Sequence, residues 1–229
     1  LLAGAIFSLP RGEPKWHVPK FVLPVSLAAL ELCWVIGMDQ PWRNRTTAES
    51  RLLADVLTLT NPTDTIMDKK GETIFRPRPY YFALEKITAE AIRRGQIADD
   101  IPQYLIASNT CVTVARSASL SPRSYAFVRE HYLVVGRLRV VGIPLQSTGA
   151  GAIAFEVVIS ARYAVLTTQG AAGGQLDGKP YAGPLFLAAG NHTYLPPQGE
   201  SPTTVLWAQA AERNFFPIEL KNLWQPHQL

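Results

Sequence analysis

The sequence lacks most of the features that identify a function directly. It has two cysteines and four histidines, with no CxxC pair and no metal-ligand spacing, and so gives no support for a disulfide framework or a metal site. It contains no GxSxG, P-loop, GxGxxG or HExxH motif, so the strongest enzyme signatures are absent. Its 22 basic residues are spread among 18 acidic ones without a basic run, which argues against a nucleic-acid partner.

The first 45 residues are predicted to be a membrane segment. Residues 18–38 read VPKFVLPVSLAALELCWVIGM, which is about the length that a helix needs to cross a bilayer. Residues 1–9 are also apolar and stop at Pro10, as the tail of an upstream helix would, so we expect the chain to be part of a longer protein. The alternative for residues 18–38, which contain Glu31, is a buried helix of a soluble protein.

The basic residues between the two apolar stretches predict the topology. Arg11, Lys15 and Lys20 lie in this short loop, and loops rich in lysine and arginine usually face the cytoplasm. We therefore expect everything after residue 45 to be extracytoplasmic. Because Arg43 and Arg45 lie on the other flank, this orientation, and the inner (plasma) membrane as its location, rest partly on the family resemblance given below.

Residues 46–146 are predicted to form a small Rossmann-like α/β domain, because helix and strand signals alternate along them. Thr46 and Glu49 have the spacing of a capping box, Gly95 is a natural helix end, and Ser121 precedes Pro122 as an N-cap residue would. Residues 99–108 fit a helix or a strand. The predicted helices are 46–60, 79–94 and one starting at Pro122, and the predicted strands are 64–68, 110–115 and 137–145. The predicted apolar faces consist of Tyr80, Leu84, Ile87 and Ala91 in the second helix and of Tyr125, Val128 and Tyr132 in the third.

Residues 147–229 are predicted to form an all-β, sandwich-like module after a linker at residues 146–151. The pattern predicts a tight hairpin at residues 176–178 and a strand pair around Gly190 and Asn191. Aromatic residues on such a module either form an exposed glycan-binding face or belong to the core. The residues concerned are Tyr163, Tyr181, Tyr194 and Trp207.

A charged stretch at residues 65–81, TIMDKKGETIFRPRPYY, contains the candidate site. Asp68 lies at the carboxyl end of a predicted strand, where open α/β sheets place functional groups; alternatively, it caps or solvates the turn. Arginine and lysine suit phosphate, on a lipid-linked sugar or on a lipid headgroup. The alternative is that the lysines form a solvated turn beside Gly71, while the arginines pair with local acids such as Glu72 and Glu85. The candidate substrate-binding residues are Asp68, Lys70, Arg76 and Arg78, with Lys69 beside them.

Two segments carry a family resemblance. An apolar stretch and a helix precede DTIMDKKGETIFRPRPYYFALEKITAEAIRRG, and FVREHYLVVGRLRVVG follows. This order resembles the carboxyl-terminal, extracytoplasmic part of bacterial GT-C membrane glycosyltransferases, related to protein O-mannosyltransferases and lipid A aminoarabinose transferases. The resemblance covers residues 1–145, and the β module resembles an accessory domain of some members.

The resemblance implies an inner-membrane enzyme that transfers a sugar from a polyprenyl-phosphate donor to a glycan or lipid acceptor on the outer side. The family's catalytic acids lie in the first extracytoplasmic loop, upstream of this chain, and some members use a divalent metal. The chain itself would then be a non-catalytic portion with membrane lipid as a partner and no cofactor of its own. The alternative is a membrane-anchored glycan- or protein-binding module without transferase activity.

Overall fold

A computed structural model describes residues 21–38, 46–114, 120–145, 151–168, 170–197 and 203–217. Contacts between Cα atoms divide the chain into two compact units, Leu1–Thr46 and Thr47–Leu229. Within the described residues the protein is a mixed α/β structure with six helices and two β-sheets.

The first unit contains helix α1, Val22–Met38, where the sequence predicts a helix across the membrane. α1 has 17 residues. No helix among the described residues is long and apolar enough to cross a membrane, so the described part of this segment does not contain the predicted spanning helix. The predicted apolar residues 1–9 and the basic loop lie outside the described residues.

The second unit contains the remaining elements. Its helices are α2 (Thr46–Leu59), α3 (Lys86–Arg93), α4 (Ile101–Ala107), α5 (Pro122–His131) and α6 (Ala208–Glu212), the first residue of α2 belonging to the first unit. Its strands are β1 (Ile66–Met67), β2 (Val112–Val114), β3 (Tyr132–Val135), β4 (Leu138–Leu145), β5 (Ile153–Val157), β6 (Ala161–Thr167), β7 (Gly170–Ala171), β8 (Gln175–Leu176), β9 (Lys179–Pro180), β10 (Leu185–Leu187), β11 (Gly190–Leu195) and β12 (Thr203–Trp207).

These strands form two sheets. The larger has the order β1-β2-β4-β12-β6-β10, with β3 paired to β4 and β7 paired to β6. Its β1 and β2 are parallel, whereas the other pairs are antiparallel. The smaller sheet is antiparallel, with the order β5-β11-β8-β9.

Strand β4 ends just before the predicted boundary at residues 146–151 and pairs with strands from both sides of that boundary. Its first half pairs with β2, and its second half, from Gly142, pairs with β12. A Cβ atom at Gly142 would lie 2.8 Å from the carbonyl oxygen of Val205 on β12, so the two strands approach closely at a residue without a side chain. The predicted α/β domain and β module therefore share one sheet.

Several local signals are confirmed. α2 begins at Thr46, and the Ser121 hydroxyl of α5 accepts a hydrogen bond from the Ser124 amide at 3.1 Å, as an N-cap residue does. Gly95, with φ of +70°, follows α3, where a left-handed residue satisfies the helix end. The unassigned residues 99–108 contain helix α4.

The predicted helix at 79–94 is wrong in its first half. Residues 79–85 are irregular because other bonds hold them: the Arg78 guanidinium donates to the Phe82 carbonyl at 3.2 Å, and the Leu84 amide donates to the Lys69 carbonyl at 2.6 Å. Tyr80 and Leu84 are buried as predicted, but Ile87 is 85% exposed.

Two further predictions need correction. Tyr125 is exposed, because the buried face of α5 passes through Ser124 and Val128. The strands around Gly190 exist but do not pair with each other: β10 pairs with β6 in the larger sheet, and β11 pairs with β5 in the smaller one.

The aromatic residues of the β region belong to the core. Tyr163, Tyr181, Tyr194 and Trp207 are all at most 8% exposed. The hydroxyls of the three tyrosines are also occupied. Tyr163 donates to the Ile159 carbonyl at 2.6 Å, Tyr181 accepts from the Val165 amide at 2.8 Å, and Tyr194 donates to the Gly173 carbonyl at 2.8 Å. Of the two interpretations of these four residues, the core is therefore confirmed.

The tight hairpin predicted at residues 176–178 joins β8 and β9. Asp177 and Gly178 both have positive φ, +50° and +72°, as a two-residue type I′ turn requires. The Asp177 carboxylate accepts from the Thr193 amide at 2.8 Å and lies 2.7 Å from His192 Nδ1. The other ring nitrogen of His192 lies 2.9 Å from the Ala188 carbonyl, so both nitrogens face oxygen acceptors.

This pair predicts a pH dependence of stability. Burial, the largest influence, lowers the pKa of His192, but the bonds to Asp177 and Ala188 outweigh it and raise that pKa. Burial likewise raises the pKa of Asp177, and the bonds to His192 and Thr193 reverse it and lower that pKa. The stability that His192 contributes is complete below its unfolded pKa of about 6.5 and is lost as pH rises through its folded pKa. The stability that Asp177 contributes is present above its unfolded pKa of about 4 and is lost as pH falls through its folded pKa.

We therefore expect His192→Gln to reduce the urea midpoint at pH 5, where the imidazolium pairs with Asp177, and to change it less at pH 8.5. Equal losses at both pH values would contradict this.

Candidate functional site

The candidate site is built around Asp68, which directly follows β1 and has a fully buried side chain. One carboxylate oxygen accepts from the Gly71 amide at 2.9 Å, and the other accepts from the amide and hydroxyl of Thr73 at 2.7 and 2.8 Å. These bonds fold the chain back over the strand end. The geometry is that of the capping role, in which the aspartate closes a turn.

Arg78 completes the environment of Asp68. Its Nε lies 2.6 Å from Asp68 Oδ1, an ion pair whose N–H direction is poorly aligned for a hydrogen bond. Its Nη2 donates to the carbonyls of Asp68 and Phe82 at 3.1 and 3.2 Å. Arg78 therefore links the start of the loop to its end, and its side chain is only 17% exposed.

Arg76 binds a different element. Its Nε and Nη2 donate to the hydroxyl and carbonyl of Thr60 at 2.8 and 2.9 Å, and its Nη1 donates to the Phe75 carbonyl at 2.9 Å. Thr60 directly follows α2, so Arg76 satisfies one carbonyl group at the end of that helix. Three of its five N–H groups are thus used within the chain.

The structure brings together only some of the predicted site residues. Asp68 and Arg78 form a buried pair, Arg76 faces α2, and Lys70 is exposed. The alternative interpretation expected the arginines to pair with local acids. Arg78 does so, but with Asp68 rather than Glu72 or Glu85, whereas Arg76 bonds to Thr60. The charged groups that remain open to a ligand are therefore the lysines, chiefly Lys70.

A second set of residues in this loop was not predicted. Large apolar side chains are exposed along residues 68–87, which we call the Asp68 loop. They are Ile74, Phe75, Tyr81, Phe82 and Ile87, of which Tyr81 is 90% exposed. The only signal in the sequence is the density of such residues in IF and YYF, which also fits a buried segment. The loop therefore combines a fixed backbone with exposed apolar and basic side chains.

Among the described residues, no three histidine, cysteine, aspartate or glutamate side chains are placed to hold a metal ion together. The carboxylate of Asp68 already accepts three hydrogen bonds besides its ion pair. No metal ligand is therefore assigned in the Asp68 loop.

Comparison with known proteins gives no relative. No protein-family model, curated protein or solved structure matches the chain.

Proposed function

We propose that the chain is the non-catalytic, extracytoplasmic portion of an inner-membrane glycosyltransferase that takes its sugar from a polyprenyl-phosphate donor, and that its Asp68 loop rests on the membrane surface. The observation that carries the proposal is the set of exposed apolar side chains on a loop whose backbone is tied down by Asp68 and Arg78. The family resemblance supports the transferase setting.

The apolar part of the loop favours a bilayer. Burying an exposed side chain of the size of isoleucine or phenylalanine contributes roughly 1.5–3 kcal/mol, and Ile74, Tyr81 and Ile87 are each at least 72% exposed. Aromatic side chains also suit the region between headgroups and acyl chains. The ring is apolar, and the tyrosine hydroxyl can reach the headgroups. Because the loop is already ordered by its own hydrogen bonds, little conformational entropy is lost on contact.

The charges of the loop favour anionic lipids. Residues 68–87 contain five basic and three acidic side chains, a net charge of +2. Asp68 and Arg78 cancel each other in their buried pair, so the excess lies on the exposed side. Each lysine or arginine close to an anionic surface contributes about 1 kcal/mol. Lys70 is then the residue of the predicted phosphate site that remains available to a lipid phosphate.

Helix α1 also supports a membrane setting. The side chains from Phe21 to Ile36 are exposed, and apart from Ser26 and Glu31 they are apolar or weakly polar around the whole helix. A helix of this composition is usually buried in a protein core or in a membrane.

The finer fold descriptions belong to this proposal. The parallel pair β1 and β2, connected through helices, supports the Rossmann-like interpretation of the first half. The presence of two largely antiparallel sheets supports the sandwich-like interpretation of the second half.

The test places a polarity-sensitive fluorophore on the loop. Cys33 is replaced by serine, Cys111 is buried, and a single labelled cysteine is introduced as Tyr81→Cys, with Tyr125→Cys on α5 as the matched exposed control. With vesicles containing phosphatidylglycerol, we expect a blue shift and quenching by lipid-borne quenchers at position 81 but not at 125. Charge reversal by Lys69→Glu and Lys70→Glu should remove most of the shift, because it replaces attraction with repulsion. No shift at position 81, or the same shift at 125, would refute the membrane contact.

The second candidate, a membrane-anchored binding module without transferase activity, is favoured by a polar cleft in the second unit, described next. The two candidates are distinguished by deleting the gene and measuring sugar transfer from polyprenyl-phosphate sugar in the isolated membranes. Loss of transfer supports the first candidate, and unchanged transfer supports the second.

A further inference from the structure

A cleft of about 340 Å³ lies in the second unit, where the segments that precede β1 and β2 approach β6, β10 and α6. Its size is within the range of sites for small ligands. The residues important for the argument come from five separate parts of the chain. They are Asp64, Asn109, Arg162, Phe186, Trp207 and Glu212.

The cleft is lined by an exposed aromatic ring. Phe186 on β10 lies directly opposite Arg162 on β6 in the antiparallel register, so their side chains are neighbours on one face of the sheet. Phe186 is 62% exposed, whereas Trp207, which also lines the cleft, is almost buried. An exposed ring beside polar groups can cover the C–H face of a flat, partly apolar ligand.

The cleft is also lined by polar groups. Within the described residues, the hydrogen bonds of the Asp64 carboxylate both go to Oδ2, from the Asn61 amide at 2.7 Å and from Gln209 at 3.1 Å. Asn109 has an exposed side chain, and its backbone is held at φ of +47° after α4. These two groups present one carboxylate acceptor and one amide, which both donates and accepts.

The charges of the cleft disfavour an anion. Glu212 lies 3.3 Å from Arg162 and offsets its charge, and Asp64 adds a negative charge. Cys111, in the wall, is not a nucleophile, because burial, and to a lesser extent the charge of Asp64, raises its pKa to about 12 and it stays a thiol at neutral pH. The cleft is therefore suited to binding an uncharged molecule with several hydroxyl groups.

We propose that this cleft binds an uncharged pyranose sugar, with the ring stacked on Phe186 and the hydroxyls bonded to Asn109 and Asp64. A pyranose combines an apolar C–H face with hydroxyls that each donate and accept, and the lining of the cleft combines a ring with groups that donate and accept. The site uses none of the residues of the Asp68 loop, so it is independent of the proposed membrane contact.

The test uses the 229-residue chain in detergent and a panel of methyl pyranosides, with glucuronate and inorganic phosphate as anionic probes. By NMR, uncharged pyranosides are expected to shift the amide signals of Asn109, Arg162 and Phe186. Phe186→Ala and Asn109→Ala should each weaken binding at least fivefold, the size of one hydrogen bond or ring contact. Leu185→Ala, on the same strand but with its side chain on the opposite face, should leave the affinity unchanged.

Phe186 and Asn109 are both exposed, so their variants should keep the parent's unfolding midpoint, which is measured in parallel. Absence of binding by every uncharged sugar would overturn the proposal, as would tighter binding of glucuronate or phosphate. Binding that survives the Phe186→Ala, Asn109→Ala double variant would place the sugar elsewhere. None of these outcomes changes the fluorophore result at position 81, so failure here and failure of the membrane proposal are distinguishable.

Discussion

Asp68→Ala is expected to lower the free energy of unfolding by about 3–5 kcal/mol, because it leaves the charge of Arg78 in a largely buried position without its partner. It also removes the acceptor of the Gly71 amide and of both Thr73 groups. Urea unfolding followed by circular dichroism measures the change. Arg78→Ala should reduce stability less, because Asp68 would keep its three hydrogen-bond donors.

The matched control is Glu85→Ala, which removes an exposed carboxylate of the same loop. Glu85 is the N-cap residue of α3 but makes no side-chain capping bond, so its removal should change stability by less than about 0.5 kcal/mol. If Asp68→Ala unfolded at the same urea concentration as this control, the buried pair would have no net stabilising effect.

This result bears on any activity assay of the site. A variant of Asp68, Arg76 or Arg78 that loses activity has also lost bonds that hold the loop, so the loss alone does not identify a substrate contact. Lys70→Ala is the informative variant, because Lys70 is exposed. Reduced lipid contact with an unchanged unfolding midpoint in this variant would show a role for Lys70 in binding.

Signals that act within a few residues predicted the structure well. The capping residue Ser121 and the terminal Gly95 marked the ends of helices, because a cap depends on atoms one turn away. The Asp177-Gly178 turn was predictable for the same reason, since its type requires two residues with positive φ. The buried strand at 112–114 followed from its β-branched residues.

Features that depend on distant residues were missed. The segment from Pro79 to Glu85 has a helical apolar pattern, but bonds from Arg78 and to Lys69 hold it in another conformation, and periodicity does not contain that information. The exposure of Ile87 was missed for the same reason, because it was assigned to the apolar face of that predicted helix. The cleft could not be predicted at all, because Asp64, Asn109 and Phe186 meet only through the folded sheet.

The second large effect concerns the predicted boundary at residues 146–151. A chain of residues 46–145 is expected not to fold, because the second half of β4 would lose its pairing with β12. Leu145 would then be exposed on an open strand edge, and Val205 and Leu206, which are fully buried in the core, would be missing. An open apolar edge of this kind favours aggregation.

The same truncation also removes two bonds that hold the end of α2. Gln209 donates to the Leu59 carbonyl and Arg213 donates to the Thr58 carbonyl, both at 2.8 Å. We therefore expect residues 46–229 to unfold cooperatively in urea and residues 46–145 to show neither a cooperative transition nor dispersed amide signals by NMR. A dispersed spectrum from the shorter chain would show that the first half folds independently.

A point substitution tests the same contact in the intact chain. Gly142→Ala would place a methyl group 2.8 Å from the Val205 carbonyl oxygen, so the strands must separate, at a loss of about 1–3 kcal/mol. Gly151→Ala is the matched control, because a Cβ atom there meets nothing within 4 Å. A linker-like composition at residues 146–151 therefore does not separate two independent sheets. Strand β4, before it, pairs with β12, after it, and we expect the stability of each half to depend on that pairing.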